Sequence, residues 1–365
     1  MSAAAQFAAA ELLRRQRART SLAEYSQAIE IPGVPVPGEA DNDEEFYDPL
    51  NEAEDVELAD GTVVKGAGKI VNRIDRNNIL YTPIEERVAL HHYVMMLAIQ
   101  KCIQTSRGRL MIFAPPGSAK STYASVIGTS WALGRNKNQQ IILASYGSSI
   151  AAKQSRKVRT ICKNHMWSSL WPSRPLLLDD QRAVDDWSLT NGSALMSAGL
   201  LAGITGNRAD GVIIDDPVRN REEADSPTIR EKIYNEYIDT VMTRAKPHMW
   251  CIIIQTRWHE DDLAGSILPQ QYEGESGLIH CRDGQKWEVL CIPAEAERED
   301  DPLGRPVGGF LWPEWFPREH WNTWRDNPRA QRTWAALYQQ RPAPFTGIHF
   351  QRDMFKFYDP RLAPV

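Results

Sequence analysis

Five short apolar runs, set between stretches of helical character, constrain this chain more than any other feature. They are RLMIFA (109–114), QIILASY (140–146), ALMSAG (194–199), GVIID (211–215) and WCIIIQT (250–256). Helical apolar spacing fills 121–133, 149–164 and 227–244, and IEERVALHHYVMMLAIQKCI (84–103) precedes the first run. Strands this short alternating with helices predict an α/β fold with a mainly parallel sheet flanked by helices. The runs are continuous rather than polar on alternate positions, so their strands are expected to be covered on both faces.

A chain of 365 residues can build one large or two modest domains around a substantial core. No apolar run approaches the roughly 20 residues that span a bilayer. Five cysteines are scattered without a CxxC pair, which argues against a zinc site or disulfide framework and suits a reducing setting. The net charge of −5 is unevenly spread. Residues 34–64 hold 11 acidic side chains and no Lys or Arg, leaving 42 basic against 36 acidic residues elsewhere. A mildly basic body with one acidic segment does not exclude a nucleic-acid partner.

Residues 3–29 read as an Ala- and Arg-rich helical arm, and the Pro-rich, acidic stretch after it breaks regular structure. After about residue 266 the strand–helix alternation fades, and eight of the 12 tryptophans lie at or beyond 250. The expected division is an N-terminal arm and acidic loop (1–65), an α/β core (66–265), a Trp-rich C-terminal subdomain (266–345) and a linker (346–365).

The segment RLMIFAPPGSAKSTYASVI joins a strand to a helix through a small-residue turn. That is the setting of a phosphate-binding loop, in which backbone N–H groups and the helix N-terminus face phosphate oxygens. The binding residues are expected to be Pro116, Gly117, Ser118, Ala119, Lys120, Ser121 and Thr122. Lys120 would neutralise phosphate charge and the Ser121 hydroxyl would ligate Mg²⁺. Ala114 and Ala119 stand where the GxxxxGK[ST] pattern has glycine, so a loop of somewhat different shape is expected.

GVIIDDP (211–217) ends an apolar strand in two carboxylates, at the sheet edge where ligands bind. Asp215 is expected to hold Mg²⁺ and Asp216 to polarise the attacking water, with Glu222 or Glu223 as substitutes if Asp216 is too short. WCIIIQTRWHEDDLAG (250–265) brings Gln255, Thr256 and Arg257 out of a third strand, where a polar group senses the γ-phosphate. His259, Glu260, Asp261 and Asp262 match no closed zinc site and read instead as a capped helix start.

These segments together resemble the large terminase subunit of tailed bacteriophages. The resemblance rests on APPGSAKST (114–122), ASYGSSIAAKQSRKVR (144–159), AGITGNRADGVIIDDPV (202–218), QTRWHEDDLAG (255–265), DDPLGR (300–305), LWPEW (311–315) and ALYQQRP (336–342). It covers roughly 70–355, and TRWHEDDLAG and ALYQQRP are its most specific parts. It implies a P-loop NTPase core of the ASCE, RecA-like kind, using ATP and Mg²⁺. It further implies a homo-oligomeric ring, a pentamer by family resemblance, that docks on a procapsid portal protein in the host cytoplasm. That ring would work with a small terminase subunit and drive double-stranded DNA inward. Thr256 falls in the family's coupling motif. An arginine reaching the γ-phosphate from a neighbouring subunit is also implied, with Arg208 and Arg156 as candidates. The family's C-terminal nuclease would begin after roughly residue 360, so ATPase without nuclease activity is expected of this chain. Lys153, Arg156, Lys157 and Arg159 form a basic cluster suited to phosphate contacts with DNA. The alternative to a motor is a nucleotide-binding docking module of the packaging complex with no turnover of its own.

Overall fold

The structure is a computed structural model that describes residues 3–29, 88–178, 183–202, 204 and 208–342, with four two-residue strands between 45 and 72. The expectations for 346–365, and for most of the acidic loop, lie outside the described residues.

One eight-stranded sheet organises the chain. In chain order its strands are β1 (Arg109–Phe113), β2 (Gln140–Ser145), β3 (Asp186–Ser188), β4 (Ala194–Gly199), β5 (Ala209–Asp215), β6 (Ala245–Gln255), β7 (Gly277–His280) and β8 (Lys286–Cys291). Their spatial order is β7-β8-β1-β6-β5-β2-β4-β3. The six central strands run parallel, and the short strands β7 and β3 close the two edges antiparallel. The sheet is therefore mixed at its margins and parallel at its centre.

Alternate residues of each central strand face different helical layers. Leu110, Ile112, Ile141, Leu143, Ile213, Ile252 and Ile254 pack under α3 (Leu90–Gln104), α4 (Thr129–Arg135), α5 (Ser148–Lys163) and α6 (His165–Leu170). Met111, Phe113, Ile142, Val212, Ile214 and Ile253 pack under α7 (Arg221–Asp225), α8 (Pro227–Asn235) and α9 (Leu263–Ile267). Two-sided cover explains why these strands read as unbroken apolar runs. Each fully buried Leu, Ile or Phe contributes about 1.5–3 kcal/mol.

The N-terminal arm is part of the body. It forms α1 (Ala3–Thr20) and α2 (Leu22–Ala28), and Ala18, Leu22, Ala23, Tyr25 and Ala28 are buried in the main core. Tyr25 Oη donates to Ser130 Oγ at 2.7 Å and Trp131 Nε1 donates to the Ala18 carbonyl at 3.0 Å. Burying Leu22 and Tyr25 offsets the entropy of ordering a short helix that would be marginal alone. After residue 265 the chain extends the same sheet, since β8 pairs directly with β1. The later tryptophans then pack back on the core: Trp312, Trp321 and Trp334 join the cluster that contains β1.

Candidate nucleotide site

At the C-terminal edge of the central strands, β1, β5 and β6 end side by side. After Phe113 the chain turns through Ala114–Ala119, and a helix begins at Lys120. It runs through π-helical turns (Thr122–Gly128) before α4. Gly117 has φ +81° and Ala119 φ +58°. Ala119 thus adopts a left-handed backbone, which strains an L-residue by about 1–2 kcal/mol. Pro116 and Gly117 are exposed, Ser118 is buried, and Ala119 and Thr122 are half-buried.

Asp215 sits at the tip of β5 and is 3% exposed. Ser121 Oγ donates to its Oδ1 at 2.9 Å and Ser125 Oγ to its Oδ2 at 2.8 Å. Burial is the main reason its pKa rises, with the Asp216 charge adding to it, and the carboxyl reaches about 6 despite the hydroxyls and Lys120. Asp216 also has a left-handed backbone, φ +45°. Its Oδ1 accepts the Thr256 N–H at 2.9 Å, and its Oδ2 lies 3.5 Å from Lys120 Nζ. Thr256 Oγ1 reaches the Ala114 carbonyl at 3.5 Å, tying the end of β6 to the start of the loop. Ser118 Oγ, Ser145 Oγ and Gln255 Oε1 are buried along this edge with no hydrogen-bond partner among the described residues. Oxygen donors, one buried ammonium and a loop whose backbone turns twice through left-handed residues converge on one point. That chemistry fits a phosphate chain with a hard divalent cation.

Lys120, Ser121, Asp215, Asp216 and Thr256 are thus brought together, as expected from the strand ends. Glu223 is drawn aside, its Oε2 accepting the Arg219 N–H at 3.0 Å, and Glu222 is exposed. Arg208 is exposed and precedes β5, so seven residues of strand place it roughly 20 Å from Asp215, at the opposite sheet edge. Arg156 is exposed on α5 and, among the described residues, makes no hydrogen bond or ion pair with the cluster.

Beside the cluster lies a second, tighter group. Arg257, 4% exposed, donates through Nε to both oxygens of Asp262 at 3.0 and 2.9 Å, and its N–H donates to Gln340 Oε1 at 3.1 Å. Asp262 also caps α9 by accepting the Gly265 N–H at 2.9 Å, while His259 Nδ1 accepts the Asp261 N–H at 3.0 Å. This is the capped helix start expected of HEDD. Gln339 anchors ALYQQRP from the other side. It accepts the Glu295 N–H and donates to the Glu295 carbonyl, each at 3.0 Å.

The sequence did not single out Ser125, Phe316 or Gln340. Ser125 carried a usable signal, since it lies four residues after Ser121 and so on the same helical face. Phe316 packs its ring edge on Gly117, where a Cβ would stand 2.8 Å from Cζ. Only the LWPEWF aromatics hinted at that contact.

Residues 111–340 match the family described as terminase large subunit, T4likevirus-type, N-terminal. No curated protein matches the sequence. Among solved structures, the chain is similar to the large terminase ATPase domain of Thermus phage P74-26 in a mutant form (18% identity, TM-score 0.46, covering 69% of this chain and 94% of that one). It is also similar to the HK97 bacteriophage large terminase (14%, 0.41, covering 72% and 52%). A third similar structure is the large terminase from a thermophilic bacteriophage in complex with ATP-gamma-S (11%, 0.36, covering 67% and 51%). The chain spans about half the length of these last two proteins. With the family match extending over more than half of its length, the chain belongs to the phage terminase large subunit family.

Proposed function

We propose that this chain is the ATP-hydrolysing motor subunit that drives double-stranded viral DNA into a procapsid through its portal. The observation that carries the proposal is the convergence of Lys120, Ser121, Asp215, Asp216 and Thr256 on one strained loop in a chain of this family. The backbone N–H groups of 117–122 bind the phosphates of ATP, with Pro116 shaping the turn that aims them. Ser121 and Asp215 would supply oxygen ligands for Mg²⁺, whose chemistry there would be to neutralise phosphate charge. Lys120 exchanges its long ion pair with Asp216 for a phosphate oxygen. Asp216, freed at Oδ2 but still held at Oδ1 by Thr256, orients the attacking water. Thr256 bridges Asp216 and Ala114, so its hydrogen bonds register what occupies the site.

The remaining parts of the proposal concern assembly. A homo-oligomeric ring on the portal lets an exposed arginine act in trans. Arg208, at the far sheet edge, has no other route to a γ-phosphate, and Arg156 is the second candidate. Lys153 and Arg156 are exposed on α5 and suit salt-sensitive contacts with DNA phosphates. The small terminase subunit is the further partner, and the host cytoplasm the place of action. No helix among the described residues is long and apolar enough to cross a membrane.

The test is ATP hydrolysis by the purified chain, with and without duplex DNA, beside Lys120→Ala. Turnover that DNA stimulates and the substitution removes is expected. Tight nucleotide binding with no turnover, even when the chain is assembled on a portal, would favour a docking module instead.

A further inference from the structure

The phosphate loop meets the triphosphate, and the base needs a surface of its own. The aromatic cluster against the loop has two layers. His91, His92, Tyr123, Trp312 and Trp321 are buried. His92 stacks on Tyr123 with centroids 4.2 Å apart, and Trp312 meets His91 and His92 at 5.1 and 4.7 Å. Above them, Phe316 and His320 are only half-buried. Their rings stack at 4.5 Å and 22°, and Phe316 rests edge-on against Trp312 and Trp321 at 6.0 and 5.0 Å. The same Phe316 ring touches Gly117, an exposed residue of the loop. A purely structural cluster buries its faces. This one is buried beneath and half-buried at its rim, and the rim adjoins the phosphate loop.

We propose that the Phe316–His320 pair is the platform on which the purine ring of the bound nucleotide stacks. The inference rests on the nucleotide-binding reading above and adds the base site to it. Stacking needs a π face and reads no edge, so the pair binds adenine and guanine alike. The two rings are already stacked on each other and braced from below, so little side-chain freedom is lost on binding.

The experiment measures dissociation constants for ATPγS, GTPγS and inorganic tripolyphosphate on the full chain. It compares the wild type with Phe316→Leu, His320→Ala and Lys120→Ala. Phe316→Leu keeps an apolar wedge against Gly117 while removing the π face, and His320→Ala tests the pair where folding is least at risk. The expected result is about tenfold weaker binding of both nucleotides to each platform variant, with tripolyphosphate unchanged. Equal weakening of tripolyphosphate would overturn the proposal, because the rings would then only prop the loop. Unchanged nucleotide binding in both variants would also overturn it, by placing the base elsewhere. Failure of the underlying reading looks different: Lys120→Ala would then leave all three ligands unaffected.

Discussion

Two polar clusters lie side by side at the same sheet edge and are built in opposite ways. Around Lys120 the carboxylates are hydrogen-bonded, yet several other contacts are long or missing. The ion pair to Asp216 is 3.5 Å, Ser118 Oγ has no partner among the described residues, Asp215 is held with a raised pKa, and Ala119 and Asp216 carry left-handed backbones. Around Arg257 nearly everything is satisfied, with two hydrogen bonds to Asp262 at 3.0 and 2.9 Å and a cap on α9. A buried charge is costly unless paired and hydrogen-bonded. The second cluster meets that cost internally. The first leaves it to be met from outside, as expected where an anion and a cation bind.

Removing a charge from each cluster separates the two designs most sharply. Arg257→Ala strands the Asp262 carboxylate in the interior and is expected to destabilise the chain by about 3–5 kcal/mol, read by urea denaturation. Lys120→Ala is expected to leave the urea midpoint nearly unchanged and to lower turnover by about 10²–10³-fold, the effect of losing one preorganised charge at a reacting centre. Large instability in Lys120→Ala, or a silent Arg257→Ala, would break the distinction.

The first cluster was legible in the sequence for a local reason. Asp215 and Thr256 stand at the ends of apolar runs and Lys120 one short turn beyond another, and a parallel sheet aligns the ends of such runs at one edge. Strands β1, β2, β5 and the second half of β6 were legible because burial on both faces leaves a continuous apolar signature, and β4 reads as a strand although only alternate residues are fully buried. β7 and β8 were not. GLIH is largely exposed and KWEVLC alternates polar and apolar residues, so neither resembles a core strand, although β8 lies against β1. The second cluster was half legible. The Asp262 cap is local, but the Gln340 contact with Arg257 joins residues 83 apart. Phe316 meets Gly117 across a longer stretch still, and no spacing rule reaches that far.

His91, buried on α3 against His92 and Trp312, gives the comparison a pH axis. Burial, then the neighbouring His92, holds its imidazole at a pKa of about 2 against an ordinary 6.5. Below pH 6.5 the unfolded chain takes up a proton that the folded chain refuses, so stability present at neutral pH is lost as pH falls toward 2. The slope is about 1.4 kcal/mol per pH unit. Between pH 7 and pH 5 this group removes about 2 kcal/mol. His91→Phe keeps a ring against Trp312 and removes the proton site. Its denaturation midpoint is expected to fall less over that interval, and an equal fall in both chains would remove His91 from the account.

The smallest expected effect is the most specific to the loop. Ala114 and Ala119 both stand where related loops have glycine, yet the structure gives them opposite situations. Ala119 has φ +58°, a conformation that glycine adopts without strain. Ala119→Gly relieves about 1–2 kcal/mol of strain and gives back part of it as greater freedom of the unfolded chain, for a net gain of about 0.5–1 kcal/mol. Ala114 is fully buried in the main core and shows no left-handed backbone. Ala114→Gly therefore only loses packing and adds unfolded-state entropy, a loss of about 0.5–1 kcal/mol. Thermal midpoints should move in opposite directions by about 2 °C each. If both substitutions lower the midpoint, the left-handed turn at 119 stores no strain, and that mark of a site completed by its ligand is lost from the first cluster.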